Sequence, residues 1–264
     1  MGLIAKSTRP DVGIVGGTGR MGSWFADLLE RLGSKVFRVG RKTDFTPYEV
    51  ARQCDVVVIS VPIADTVKVI RELGPLVPEN RLLMDLTSIK KGPVEAMLKY
   101  SRAQVVGAHP LFGPDMAPHS ELRVAICPGR GESGLEWLSG VMGDAGLGVT
   151  VLSPEKHDQI MGLVQGVNHF STLAMALCIS RSGLEFEDVF NCSTQTFKER
   201  LDRIRSIMGQ PAELFGSLLM DNPEAVGFIG QYLEAAGELS RITRDKDREA
   251  FGEVFEMLKR FFNK

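Results

Sequence analysis

Short apolar runs alternate with amphipathic stretches through the first half of the chain. The segment Asp11-Val-Gly-Ile-Val-Gly16 is followed by apolar positions at Met21, Leu28, Leu29 and Leu32, a strand leading into a helix. Further β-rich runs occur at 35–39, 55–60, 81–86, 104–108, 123–127 and 148–152, most of them separated by helical or loop segments. Repeated strand–helix units predict a parallel sheet covered on both faces. The β-rich runs stop after Ser153, where Ser153-Pro154-Glu155 starts a helix with proline at its first position. Helices are expected over 154–182, 186–208, 211–219, 223–243 and 245–262, with Gly183 and Pro211 as punctuation. The pattern divides the chain into an α/β domain, 1–153, and an all-helical domain, 154–264.

The first strand–helix junction carries glycines with a purpose. Gly13-Ile-Val-Gly-Gly-Thr-Gly-Arg-Met-Gly22 contains G-x-G-x-x-G at Gly17, Gly19 and Gly22. The expected division of labour is a tight turn at Gly17, close approach to a pyrophosphate at Gly19 and helix–strand packing at Gly22. The helix N-terminus adds unpaired N–H groups and partial positive charge. The expected fold is therefore a Rossmann-type dinucleotide-binding domain followed by the helical one. The second strand ends Val39-Gly40-Arg41-Lys42, with no acid to accept from a ribose 2'-hydroxyl. A guanidinium at Arg41 suits a 2'-phosphate, so NADP is favoured, with NAD as the alternative. Arg41 and Lys42 as solvated loop charges, with Asp44 turned to the ribose, is the competing reading.

Composition narrows the function classes. The 264 residues are 44% hydrophobic and 24% charged, ordinary for a globular protein, and 31 basic against 33 acidic residues give a net charge of −2. No global field is present to hold a nucleic acid. Cys54, Cys127, Cys178 and Cys192 form no C-x-x-C pair and lie beside no histidine at ligand spacing, so neither a disulfide framework nor a metal site is expected. The run from Val56 to Ala64 is interrupted by Ser60 and Pro62 and is far shorter than the roughly 20 residues of a membrane span. No signal peptide is read in the first ten residues, and the expected setting is the cytoplasm.

Val105-Val-Gly-Ala-His-Pro-Leu-Phe-Gly-Pro-Asp115 places His109 directly after an expected strand, in a loop stiffened by Pro110 and Pro114. Ligands of parallel sheets lie beyond the carboxyl ends of the strands, and a histidine there suits proton transfer near neutrality. Position alone leaves catalysis and structural hydrogen bonding equally open.

These segments together closely resemble the prephenate dehydrogenase family over nearly the whole chain. The H-P-x-F-G-P-D loop and Asp85-Leu-Thr-Ser-Ile-Lys90 followed by Gly92-Pro93 are the most specific matches. Ser60-Val-Pro-Ile63, the G-G-x-G-x-M-G turn, Glu155-Lys-His-Asp158 and the spacing of His157 and His169 agree as well. The resemblance implies oxidation of a ring alcohol by hydride transfer with loss of the ring carboxylate, converting prephenate to 4-hydroxyphenylpyruvate in tyrosine biosynthesis. It implies His109 as the base and Ser88 as the serine that orients it and the substrate hydroxyl. Cofactor contacts are expected at Gly17, Thr18, Gly19, Arg20, Met21, Gly22, Arg41, Ser60, Val61 and Pro62. In the helical half it implies His169, and Arg205 six residues before Pro211, as substrate contacts for a dianion, with Arg203 as a rival. His157 matches the motif, although a histidine at a helix start beside an aspartate often serves as a cap or surface pair. Lys90 could add positive charge, one of Lys90 and Lys91 being solvated, and His119 is read as a surface residue.

Gln165-Gly-Val-Asn-His169 departs from the family's commoner S-H-x-P-H, which leaves the ring of substrate contacts open. A monofunctional enzyme without a regulatory domain is expected. The apolar positions of the helical half, among them Leu163, Leu177, Leu214, Met220, Leu258 and Phe261, exceed what one helical layer can hide, so a homodimer through that domain is expected. Arogenate dehydrogenase is the alternative within the class. A non-catalytic NADP-binding sensor is the alternative outside it, and such a sensor would have no chemical reason to keep Ser88 and His109 together.

Overall fold

A computed structural model describes residues 9–115 and 121–263; His119 lies outside them. Seven strands form one sheet: β1 (Val12–Val15), β2 (Val36–Val39), β3 (Val56–Ile59), β4 (Leu82–Asp85), β5 (Gln104–Pro110), β6 (Arg123–Arg130) and β7 (Gly148–Val151), in the order β2-β1-β3-β4-β5-β6-β7. β1 to β5 are parallel, as the strand–helix alternation predicts. Strands of sequence VGIV, VVVI and LLMD are buried along their whole length because helices cover both faces. Period-2 alternation sorts their side chains. Val12, Ile14, Val56, Val58, Leu82 and Met84 meet α1 (Arg20–Arg31) through Phe25, Leu28 and Leu29 on one face. Val15, Val57, Ile59 and Leu83 lie on the other, with Val50 of α2 (Pro47–Gln53), Ile70 of α3 (Ile63–Leu73) and Met97 of α4 (Lys91–Tyr100).

One strand departs from the parallel expectation. β6 runs antiparallel to β5, pairing His109 with Ala125 and Pro110 with Val124, and β7 is parallel to β6. His109 therefore sits in the strand itself, because an antiparallel neighbour extends β5 to Pro110. Proline is tolerated at that strand end.

The chain gathers into two units. The first comprises the sequence through Met161 together with Gln210–Asn222, and the second Gly162–Gly209 with Pro223–Lys264. The first unit includes α5 (Ser133–Asp144), α6 (Pro154–Met161) and α10 (Ala212–Met220). Asn222 Nδ2 donates to the Asp158 carbonyl at 3.0 Å, fixing the end of the 210–222 segment against α6.

The second unit contains a π-helical stretch, Gly162–Val167, then α7 (Asn168–Ser180), α8 (Phe186–Asn191), α9 (Gln195–Met208), α11 (Pro223–Asp245) and α12 (Arg248–Phe262). The expected helix over 186–208 is two helices, because Thr194 caps α9 by accepting from Phe197 N–H. Gly162 and Gly166 let the π-helical stretch approach α11: a Cβ on Gly166 would fall 2.7 Å from Cβ of Ala225. Helices α7 and α12 bury no residue within the chain, and Leu177, Phe255, Phe261 and Phe262 are exposed. By length and composition the helical run Pro154–Ser180 could cross a membrane, whereas only Val56–Ala64 was considered from the sequence. Its α6 portion buries His157, Asp158 and Met161 in the first unit, and Asn168, Ser171 and Thr172 of its α7 portion line a cavity with arginines in the second.

Candidate active site

The first unit places three side chains in a hydrogen-bonded chain. His109 is 3% exposed on β5, and its Nδ1 lies 2.9 Å from Nε2 of His157, which is completely buried on α6. Nδ1 of His157 lies 2.7 Å from Oδ1 of Asp158. The same oxygen accepts from Lys90 N–H at 2.8 Å, and Oδ2 accepts from Lys91 N–H at 2.9 Å. Asp158 thus anchors the N-terminus of α4, where backbone donors and the helix dipole favour a carboxylate.

This network assigns the protons. An ionised carboxylate only accepts, so His157 donates from Nδ1 and accepts at Nε2. His109 must then donate from Nδ1, which puts its lone pair on Nε2. Burial, reinforced by the nearby His157 and Lys90, pushes the His109 pKa well below the usual 6.5. His109 is accordingly a neutral imidazole of fixed tautomer, suited to accept a proton.

Lys90 is fully buried. Its Nζ pairs with Asp85 and donates to the Ala108 carbonyl at 2.8 Å. Asp85 also accepts from Thr87 N–H at 3.0 Å and from the Thr87 hydroxyl. Lys91 is exposed, so Lys90 is the buried member of the pair. Ser88, on the same turn, is half-buried, and its hydroxyl makes no hydrogen bond among the described residues. His109 Nδ1 is contacted by His157.

The glycine-rich turn fits a dinucleotide. The left-handed residue is Gly16, at φ +87°, one position before the expected Gly17, and a Cβ there would lie 2.2 Å from the Ser60 carbonyl. Ser60 N–H donates to the Val15 carbonyl at 2.8 Å, so Ser60-Val61-Pro62 lies beside the turn. A Cβ on Gly22 would lie 2.3 Å from the Gly16 carbonyl, in keeping with its packing role, whereas at Gly19 the one neighbour within 4 Å is that carbonyl at 3.2 Å. The backbone at Gly19 is thus open to a close-approaching phosphate. Thr18 and Arg20 are exposed beside it, Met21 is half-buried, and Arg20 forms an ion pair with Asp115. Arg41 is exposed and makes no ion pair among the described residues, whereas Arg38 of the same strand is engaged by Asp27 and Glu30.

In the second unit a cavity of about 400 Å³ is lined by Asn168, Ser171, Thr172, Met175, Arg200, Arg203, Ile204 and Tyr232. His169 is the neighbour of Asn168, and burial together with Arg203 lowers its pKa. Arg205 lies two residues from Arg203, about 200° around a helix. Its guanidinium stacks at 5.0 and 5.1 Å on Phe186 and Phe190, with Asp202 at 3.5 Å. The structure thus brings Arg203, and not Arg205, to this cavity. Asp158 and Asp85 were not among the expected site residues, and His157 was left open between the site and a cap or surface pair. The Glu155-Lys-His-Asp158 motif was visible, but a helix-start histidine beside an aspartate gives no sign of what buries it.

Two family models match the chain: "Prephenate dehydrogenase, nucleotide-binding domain" over residues 33–127 and "Prephenate dehydrogenase, dimerization domain" over residues 153–259. The T-protein of Enterobacter agglomerans is 30% identical over 98% of the chain and 69% of its own length. The chain belongs to the prephenate dehydrogenase family. A probable arogenate/prephenate dehydrogenase of Methanocaldococcus jannaschii is 31% identical over 97% of the chain, which spans 62% of that relative's length. Among solved structures, prephenate dehydrogenase from A. aeolicus in complex with hydroxyphenyl propionate and NAD+ superposes with a TM-score of 0.78 over 94% of this chain and 96% of that one, at 21% identity. The α/β nucleotide-binding domain followed by a helical domain is thus the fold of the family.

Proposed function

We propose that the chain catalyses oxidative decarboxylation of prephenate to 4-hydroxyphenylpyruvate, with NADP as the preferred hydride acceptor. The observation that carries this reading is the buried Asp158–His157–His109 chain, which gives His109 a lone pair on Nε2. The Gly16–Gly22 turn would hold the pyrophosphate of a nicotinamide dinucleotide, which would supply the hydride acceptor. His109 takes the proton of the ring alcohol through Nε2, and the negative charge of Asp158, relayed by His157, offsets the positive charge that results. Ser88, whose hydroxyl makes no hydrogen bond among the described residues, contacts the same alcohol in this reading. Departure of the ring carboxylate as carbon dioxide produces an aromatic ring and makes the reaction irreversible.

Two carboxylates require cationic or hydrogen-bonding partners. We assign His169 and Arg205 to the substrate. Arg203 is the second reading, favoured by its place in the cavity beside His169. Replacing either arginine by glutamine decides between them: the one that binds a carboxylate raises KM with little change in kcat. Arg41 reads the 2'-phosphate in this proposal. The exposed apolar residues of α7 and α12 support a homodimer through the helical half, in a cytoplasmic setting. Light scattering tests the dimer, and a particle of monomer mass at micromolar concentration would remove it.

A four-way assay tests the function: prephenate or arogenate, each with NADP or NAD, followed by the absorbance of reduced nicotinamide. Turnover of prephenate with NADP is expected. Activity with arogenate alone would move the assignment to arogenate dehydrogenase. Cofactor binding without turnover of either substrate would favour a sensor.

A further inference from the structure

We infer that Lys90 is a positioning residue for proton transfer, its backbone and side chain together holding both ends of the Asp158–His157–His109 chain in register. The inference rests on the reading of His109 as the base. At one end, Lys90 N–H donates to Asp158 Oδ1, the oxygen that also accepts from His157. At the other, its Nζ donates to the carbonyl of Ala108, the peptide group joined to His109. Asp85 fixes the ammonium at the end of β4 and is itself held by Thr87. A displacement of Lys90 therefore shifts donor and acceptor together.

The sheet makes room for this lysine. A Cβ at Gly107 would lie 2.8 Å from Val94 Cγ2, 3.2 Å from Lys90 Cδ and 3.3 Å from Asp85 Oδ1, so the bare glycine lets the lysine stem pass along β5. Lysine is almost never fully buried unless paired, and an apolar side chain of similar volume would commonly serve packing as well as a buried ion pair. What an apolar residue would not supply is a donor to Ala108 and a fixed positive charge near the imidazole.

Among the described residues, the charged and titratable groups recorded against His109 are His157 of α6 and Lys90 at the start of α4; Asp158 and Asp85 are bonded to these two in turn, and Cys127 of β6 lies within range of Lys90 and Asp85. The Cys127 thiol is pushed up to about 12 by burial and stays neutral. Lys90 is the cation in this set whose removal leaves the relay atoms themselves in place. Without its ammonium the protonated imidazole becomes less costly, so the His109 pKa rises and the acid limb of kcat/KM moves to higher pH.

The test is Lys90→Met in the full chain. Expected results are a fall in kcat of about 100-fold, the scale of a small misplacement of reacting groups, nearly unchanged cofactor affinity, and displacement of the His109 titration, read by NMR, to higher pH. Because Lys90→Met leaves Asp85 buried without its cation, the double variant Lys90→Met with Asp85→Asn is read where the single one does not fold, with the same expectation for kcat. A folded variant with wild-type kcat and an unmoved titration overturns the inference. The titration is read without substrate, so it stands even if the four-way assay shows no turnover.

Discussion

Replacing Asp158 by asparagine should remove most of the turnover while leaving the cofactor site intact. The carboxylate accepts from Lys90 N–H at 2.8 Å, Lys91 N–H at 2.9 Å and His157 Nδ1 at 2.7 Å. An asparagine has one acceptor oxygen. If that oxygen stays with His157 and Lys90, the new NH2 group faces the Lys91 N–H, and a buried donor left unsatisfied costs about 1–3 kcal/mol. Loss of negative charge at the α4 N-terminus adds roughly 0.3–1 kcal/mol. If the amide flips, His157 faces a donor instead and is driven to the other tautomer. His157 Nε2–H then opposes His109 Nδ1–H, the proton of His109 moves to Nε2, and the base is lost. Either way the hold on the tautomer weakens, and kcat should fall toward the level without a general base, about 10²–10⁴-fold lower. Steady-state kinetics measures the loss, and cofactor binding by fluorescence controls for folding. A folded variant whose kcat stays within about twofold of wild type, against that expected range, would refute the relay argument.

The depressed His109 pKa predicts that the acid limb of kcat/KM lies below the ordinary 6.5, because the base works only when neutral and a lower pKa keeps it neutral at lower pH. A limb at or above that value in the pH profile would contradict it. Arg41→Asp should raise KM for NADP by about 10- to 100-fold, the worth of a hydrogen bond to a charged group, while sparing NAD. An unchanged cofactor ratio would return Arg41 to the solvated loop charges.

The legible parts of the sequence were those where local pattern and tertiary role coincide. The Gly16–Gly22 turn announced itself because backbone approach requires glycine, and the β1–α1–β2 alternation follows from burial on one helix face and both strand faces. Strand direction was not legible: β6 has the apolar character of its neighbours, and nothing in Arg123-Val-Ala-Ile-Cys127 signals that it runs against β5. The extension of β5 through His109 follows from that pairing. The relay was legible at His109 and left open at His157, because the contacts that bury His157 and Lys90 come from residues 48 and 18 positions away in the sequence. Arg203 and Arg205 could not be ranked by counting from Pro211, since a helix turns neighbours two apart to different faces.

The most direct test of the account is turnover by His109→Asn with cofactor bound. The account predicts cofactor affinity like that of the unaltered protein and a rate lower by about 10²–10⁴-fold, the usual contribution of a general base. A folded, cofactor-binding variant that oxidises prephenate at the unaltered rate would contradict it.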